Sequence, residues 1–458
     1  MGLIKMSSKN SFLIVIVAAT LIVINGRIFM PSVYAEGITP ACEYNDALLP
    51  PDIPAVPLFL GPPGHPGYYE TSEYLIGDVA VGIIFLESNG AVDPSTEDWT
   101  STEESQVISE IQAGLNWLAG QNPQAGVSFT YEIHYKVPTS YEPINHRSWH
   151  DEHLWISEAM TFLGYPGTSY FTQVRDYIND LRSRLGTDWA CAMFIVDSSN
   201  DLDGKFADGY SAYAYLGGPF LVMTYDNDGY GIGNMDYVAA HETGHIFYAT
   251  DEYDGVTETS GYLGVQDNEG SGDLMDRPLS WWLCANSKQQ LGWRDTDGDG
   301  IQDIVDTFPD STLTPYVPDP TTETTLIYTG YTYEVPYPNN NPYGTRRDIT
   351  INIISTVEYR VDSGTWTSAS PLDGAFDEWE ESFTFTTPTL SVGTHTIDVR
   401  GRNSVGNIEP PPYATDDITI FTGPYPEFDV NIIILISTLL CAWLLIQSKA
   451  KAVINLST

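Results

Sequence analysis

Five consecutive residues, His241-Glu242-Thr243-Gly244-His245, carry the clearest chemistry in this sequence. They follow Asp236-Tyr237-Val238-Ala239-Ala240, a run without Gly or Pro that favours a helix. On a helix, residues four apart share a face about one turn apart. Two imidazoles so placed can bind one zinc ion, and the intervening Glu242 can act on a water at the open position as general base. The chain has only eight histidines, so the spacing is not easily an accident of composition.

A catalytic zinc also needs a third protein ligand. The residues that follow are Ile246-Phe247-Tyr248-Ala249-Thr250-Asp251-Glu252-Tyr253. Were the helix to run straight on, Glu252 would share the histidine face but lie about 10 Å along the axis from His245, too far for a shared ion. Asp251 would point away. The helix must therefore end near Tyr248 and the chain turn back, bringing Asp251 or Glu252 to the metal. Asp251 is the preferred ligand and Glu252 the alternative.

The spacing from His241 through His245 to Asp251 resembles that of the metzincin clan of metallopeptidases. With Asp followed by Glu and Tyr, it is similar to the immune-inhibitor-A peptidases among secreted bacterial and archaeal proteases. The resemblance covers roughly residues 78–292 and is specific only at the zinc motif. It implies peptide hydrolysis in which zinc activates water and Glu242 carries its proton to the leaving amine. It also implies a methionine turn beneath the metal, for which Gly272-Asp273-Leu274-Met275-Asp276 offers Met275. Tyr253 could stabilise the oxyanion or simply pack. One departure stands out: the family usually has Gly where this chain has Tyr248, because a positive φ there costs a bulky residue.

A second motif runs from Asp295 to Asp306. Carboxylates at Asp295, Asp297, Asp299, Asp303 and Asp306, the backbone of Ile301, and Gly300 at the sharp turn match an oxygen-rich calcium loop. The hydrophobic residue usual at the eighth position is absent, Asp replaces Glu at the twelfth, and Pro309 follows. In these respects the loop resembles a thrombospondin type 3 repeat more than an EF-hand.

The elements that must position these residues are legible in the hydrophobic pattern. Asp78 opens a buried-strand run with Val79, Val81, Ile83, Ile84 and Phe85. Ser101 and Glu104 suggest a capping box for a helix carrying Val107, Ile108, Ile111, Leu115 and Leu118 up to Gly120. Val127, Phe129, Tyr131 and Ile133 alternate as a second strand, helices are expected over 151–163 and 169–185, and a third strand over 191–196. That order implies an α/β (α+β) catalytic domain with a largely parallel sheet. The run 220–225 reads either as a sheet edge able to take a peptide by strand addition or as an ordinary strand.

The lead-in 36–77 is rich in Pro and Gly and reads as an extended segment or propeptide, in which Cys42 could cap the zinc or be a disulfide or free thiol. The calcium loop occupies 293–309 and a Thr/Pro/Tyr linker 310–324. Short alternating strands over 325–422, among them 349–353, 357–361 and 394–400, fit an all-β sandwich similar to fibronectin or immunoglobulin-like modules.

Residues 1–35 read as a signal peptide, with Lys5 and Lys9 before an apolar stretch and Val33-Tyr34-Ala35 at its end. Residues 423–458 hold an apolar run at 430–446 with Lys449 and Lys451 behind it, so the bulk of the chain faces outward from a membrane anchor. Pro426-Glu427-Phe428 ahead of that run resembles archaeal C-terminal sorting signals, which implies a sortase-like processing enzyme as partner. The net charge of -42 argues against nucleic acid as a partner. Of four cysteines, Cys191 and Cys284 offer the simplest disulfide. The expectation is a cell-surface zinc endopeptidase acting on peptide or protein substrates, with catalytic Zn2+ and structural Ca2+. A calcium-dependent adhesin with a non-cleaving peptidase-like domain is the alternative.

Overall fold

The computed structural model describes residues 47–53, 63–227, 230–276 and 279–423, together with a two-residue ladder joining Val23–Ile24 to Arg27–Ile28. Apart from that ladder, the expected signal peptide lies outside the described residues, as do Cys42, Cys441, the Pro426-Glu427-Phe428 tripeptide and the 430–446 run. No helix among the described residues is long and apolar enough to cross a membrane.

The chain is a mixed α/β protein whose first half is organised on one six-stranded sheet. Its strands are β1 (Ala47–Leu48), β2 (Asp78–Ser88), β3 (Ser128–Thr139), β4 (Trp189–Val196), β5 (Ala212–Tyr215) and β6 (Phe220–Thr224). They lie in the order β1-β5-β6-β4-β2-β3, all neighbours parallel except β5 against β6. The central strands are almost wholly apolar because both faces are covered. Val79, Val81, Ile83 and Phe85 face a core that contains residues of α1 (Ser101–Gly120) and α4 (Met235–Ile246). Ala80, Ile84 and Leu86 face the opposite core with α2 (Ser148–Phe162) and α3 (Tyr170–Leu185).

Several local expectations shift. The capping box of α1 is built by Thr100 and Glu103, one residue ahead of the expected pair, and Glu104 is buried instead. The 220–225 run is no sheet edge: β6 lies between β4 and β5, and the outer side of β5 is paired with β1. The end of the lead-in belongs to the fold. Tyr74, Leu75 and Ile76 are core residues, and the indoles of Trp189 and Trp293 donate to the carbonyls of Ile76 and Leu75. Asp52 pairs with the fully buried Arg175 guanidinium. The Cys191–Cys284 disulfide does not form. Both are buried free thiols, pushed by burial up to about 12 and about 11 respectively.

Two short strands, β7 (Thr259–Ser260) and β8 (Val265–Gln266), and α5 (Ala285–Gln290) complete the first half. The second half is all β. One four-stranded sheet holds β9 (Pro309–Leu313), β10 (Ile327–Glu334), β13 (Ser370–Pro371) and β14 (Glu380–Thr386) in the order β9-β10-β14-β13. The other holds β11 (Ile354–Val361), β12 (Thr367–Ser368), β15 (Gly393–Asn403) and β16 (Ala414–Ile420) in the order β12-β11-β15-β16. They enclose one core that includes Tyr328, Val357, Phe383, Ile397 and Ile418. The expected 310–324 linker is partly structural, since Pro309–Leu313 pairs with β10. The expected strand at 349–353 is instead an extended stretch bridged to Gly64, and Ile349 is buried in the core of the first half.

Behind β5, Glu152 is buried among the hydroxyls of Tyr170, Tyr213 and Tyr215, which all donate to it. Burial outweighs those donors and pushes the carboxyl up to about 7. The folded state therefore holds this proton where the unfolded chain has released it. The contribution is full below the ordinary Glu range and is lost as pH rises toward 7. Chemical denaturation across pH 4–8 should show stability falling through that window in the wild type, with a flatter profile in Glu152→Gln.

Candidate metal centre

Helix α4 holds the two histidines on one buried face. His241 is 8% exposed, Glu242 1% and His245 0%. Gly244, within the same turn, leaves room for Met275, whose sulfur would lie 2.9 Å from any Cβ placed there. The helix then stops as the chain reverses. Ala249 donates its N–H to the Gly244 carbonyl at 2.9 Å and Tyr248 to that of His245 at 3.0 Å, with Tyr248 left-handed at φ +67°. This is the Schellman pattern, in which Gly normally takes the left-handed place. A tyrosine there costs on the order of 1–2 kcal/mol of backbone strain.

The reversal brings Asp251 onto the histidines. Its Oδ1 lies 3.4 Å from His241 Nε2 and 3.3 Å from His245 Nε2, and the two Nε2 atoms are 3.1 Å apart. A tetrahedral ion with arms of about 2.0 Å has ligand–ligand edges of about 3.3 Å, so the three atoms fit one face of such a site. The tautomers agree. His241 Nδ1 donates to the Leu274 carbonyl at 2.9 Å and His245 Nδ1 to the Ala249 carbonyl at 2.7 Å, so in the neutral rings each Nε2 presents a lone pair. Both Asp251 oxygens are buried and accept no hydrogen bond among the described residues. A buried carboxylate facing two lone pairs calls for a cation.

Glu252, the alternative ligand, turns the other way. Its N–H donates to the Met275 carbonyl at 2.9 Å, and its carboxylate accepts from the Asn268 N–H, the Cys284 thiol and the Ser287 hydroxyl. Burial, beside Asp273, raises its pKa. Glu252 thus ties the Asp251 segment to the turn that carries Met275. That turn also supplies the Leu274 carbonyl, which accepts from both His241 and the Tyr237 hydroxyl. Tyr253 stacks beside His241 with ring centroids 6.5 Å apart. The carbonyl partners of the histidines left no trace in the sequence, being backbone. Tyr237, one helical turn before His241, could have been found by spacing alone.

The acidic loop before β9 divides. Asp295, Asp297 and Asp299 bring carboxylate oxygens within 4.8 Å of one another and could hold a cation. Asp295 also accepts the N–H groups of Gly298 and Gly300, which sets the tight turn. The structure does not bring Asp303 and Asp306 into that group. Asp303 is drawn to the Arg294 guanidinium and to Thr296, and Asp306 accepts from the Asn407 amide. Ile301 is half-buried and donates its N–H to Asp299.

Metal content after dialysis separates the two neighbouring carboxylates. Asp251→Asn should retain little zinc. Glu252→Ala should retain more zinc than Asp251→Asn, though less than the wild type, and should lose about 1–3 kcal/mol in denaturation, the cost of unpairing its buried donors.

No family model matches the chain, and no curated protein matches it. Three solved structures align with about a quarter of it each. The sulfane dehydrogenase SoxCD from Paracoccus pantotrophus is 12% identical over 25% of this chain and 33% of its own, with a TM-score of 0.17. The CARDB domain of PF1109 from Pyrococcus furiosus is 17% identical over 25% of this chain and 95% of its own, at 0.16. Astrotactin-2, a vertebrate-specific membrane protein, is 12% identical over 29% and 25%, at 0.19.

Proposed function

We propose that this chain is a zinc-dependent endopeptidase of metzincin type, exported and held at the cell surface. The observation that carries the reading is the convergence of His241 Nε2, His245 Nε2 and Asp251 Oδ1 at 3.1–3.4 Å, with Glu242 on the same helix turn. Met275 packed against Gly244 supports it, as does the reversal that delivers Asp251. Zinc held there would lower the pKa of a water and polarise a peptide carbonyl.

The chain's own groups supply the rest. Glu242 accepts the proton released by the attacking water and returns it to the departing amine as the C–N bond breaks. His241 and His245 keep their Nδ1 protons on backbone carbonyls, so their basic nitrogens stay aimed at one point. Tyr253 stacks beside His241 and is partly exposed, and would be the side chain to meet a bound carbonyl if it does more than pack. The Asp295, Asp297 and Asp299 group is proposed as a calcium site that stiffens the passage from the first half into β9.

Hydrolysis of a denatured protein substrate by the whole chain tests the reading. Glu242→Gln should lower the rate by about 100- to 10,000-fold without loss of zinc, and a zinc chelator should silence the wild type. A wild type that binds zinc yet never cleaves would favour the adhesin alternative. Thermal unfolding tests the calcium site: added calcium should raise the transition in the wild type and leave Asp297→Asn unmoved.

A further inference from the structure

Tyr248 stands midway between His245 and Asp251 in the sequence, and two of its features oppose folding. Its backbone is left-handed, and its hydroxyl is buried without a hydrogen-bond partner among the described residues. Glycine would avoid both costs. What glycine would lack is the ring. That ring lies on Gly217, where an added Cβ would come 2.1 Å from it, and the hydroxyl reaches Gly344, where an added Cβ would come 2.3 Å away. The Gly217 N–H itself donates to the His245 carbonyl at 3.0 Å. The side chain thus spans from the end of α4 to the segment between β10 and β11 of the second half.

The middle of that segment, residues 335–353, packs against the first half. Ile349 is fully buried there, and its N–H donates to the Tyr262 hydroxyl at 2.8 Å. The Tyr262 hydroxyl donates to the Tyr337 carbonyl, and the Asn340 N–H donates to the Tyr262 carbonyl. Arg347 pairs with Glu70 at 2.9 Å. Tyr248 therefore leans on a hydrogen-bonded support that comes from the second half of the chain.

We infer that Tyr248 is a positioning residue for the metal centre, and that through it the 335–353 segment sets the reach of Asp251; the inference rests on the metal-binding reading above. The ring fixes the reversal after α4 from the outside, while the Schellman bonds fix it from within. If the support orders the metal loop, then metal in the site must order the support, because coupling between two sites is reciprocal.

The test uses the full chain as wild type, Tyr248→Phe and Tyr248→Gly. Zinc affinity is read by competition with a chelating dye, and amide hydrogen exchange of residues 339–349 is read with and without zinc. Tyr248→Phe keeps the ring on Gly217 but withdraws the hydroxyl from Gly344, and should bind zinc more weakly than the wild type and more tightly than Tyr248→Gly. Tyr248→Gly relieves the backbone but removes the ring, and should bind about 10- to 100-fold more weakly, the range for lost supporting contacts. Zinc should slow exchange at 339–349 in the wild type and not in Tyr248→Gly. Wild-type affinity in Tyr248→Gly, or exchange at 339–349 indifferent to zinc in a wild type that binds it, overturns the inference. Should Tyr248→Gly fail to fold, the wild-type exchange decides. A wild type that binds no zinc overturns the metal reading itself.

Discussion

Everything at the candidate centre depends on where α4 stops. Two backbone hydrogen bonds, Ala249 to Gly244 and Tyr248 to His245, end the helix one residue after His245 and reverse the chain. Continued by a single turn, the helix would carry Asp251 away from the histidines and Glu252 out of its network. Helix ends normally leave carbonyls for water to satisfy. Here they are taken by the reversal, and the Ala249 carbonyl inside the reversal accepts from His245. The terminating bonds and the bonds that orient the ligands are therefore one continuous set.

A second set closes around it. Glu252, Asp273, Cys284 and Ser287 hold the Met275 turn against the helix, and the Leu274 carbonyl in that turn accepts from His241. Two buried carboxylates so close, with Asp273 satisfied by the N–H groups of Met275 and Cys284, make a network sensitive to the loss of any member. Its members come from three segments between Glu252 and Ser287. The geometry of the first set is thus braced by contacts that form only on folding.

The sequence revealed the parts governed by local periodicity and by chemistry concentrated in a few residues. The α1 helix, the β2, β3 and β4 strands and the His241–His245 pair fall where spacing places them. Axial rise keeps Glu252 of a straight helix away from the histidines, and the backbone makes the turn that this requires. What escaped depends on long-range pairing. The run at 220–225 is equally apolar at an edge or inside a sheet, and only the return of β5 decides which. The run at 349–353 alternates like a strand, yet it packs under Tyr262 because its partner lies far back at Gly64. Asp303 fits a calcium loop by spacing, and Arg294, immediately before the loop, takes it away. Tyr248 was legible as an anomaly, but its partners Gly217 and Gly344 were not.

The bridge between Gly64 and Ile349 has a consequence for the order of assembly. A chain made from its N-terminus can form β2, α1 and β3 early, since those contacts are local. The core around Tyr74 and Tyr262 is complete only with Ile349, which is made after the whole of α4 and its candidate ligands. The bridge closes a loop that contains the candidate metal centre, and closing so long a loop is entropically costly. A candidate centre wired in this way would be among the last parts of the molecule to become ordered. A half-made chain would then carry the ligand residues but not the support that aligns them.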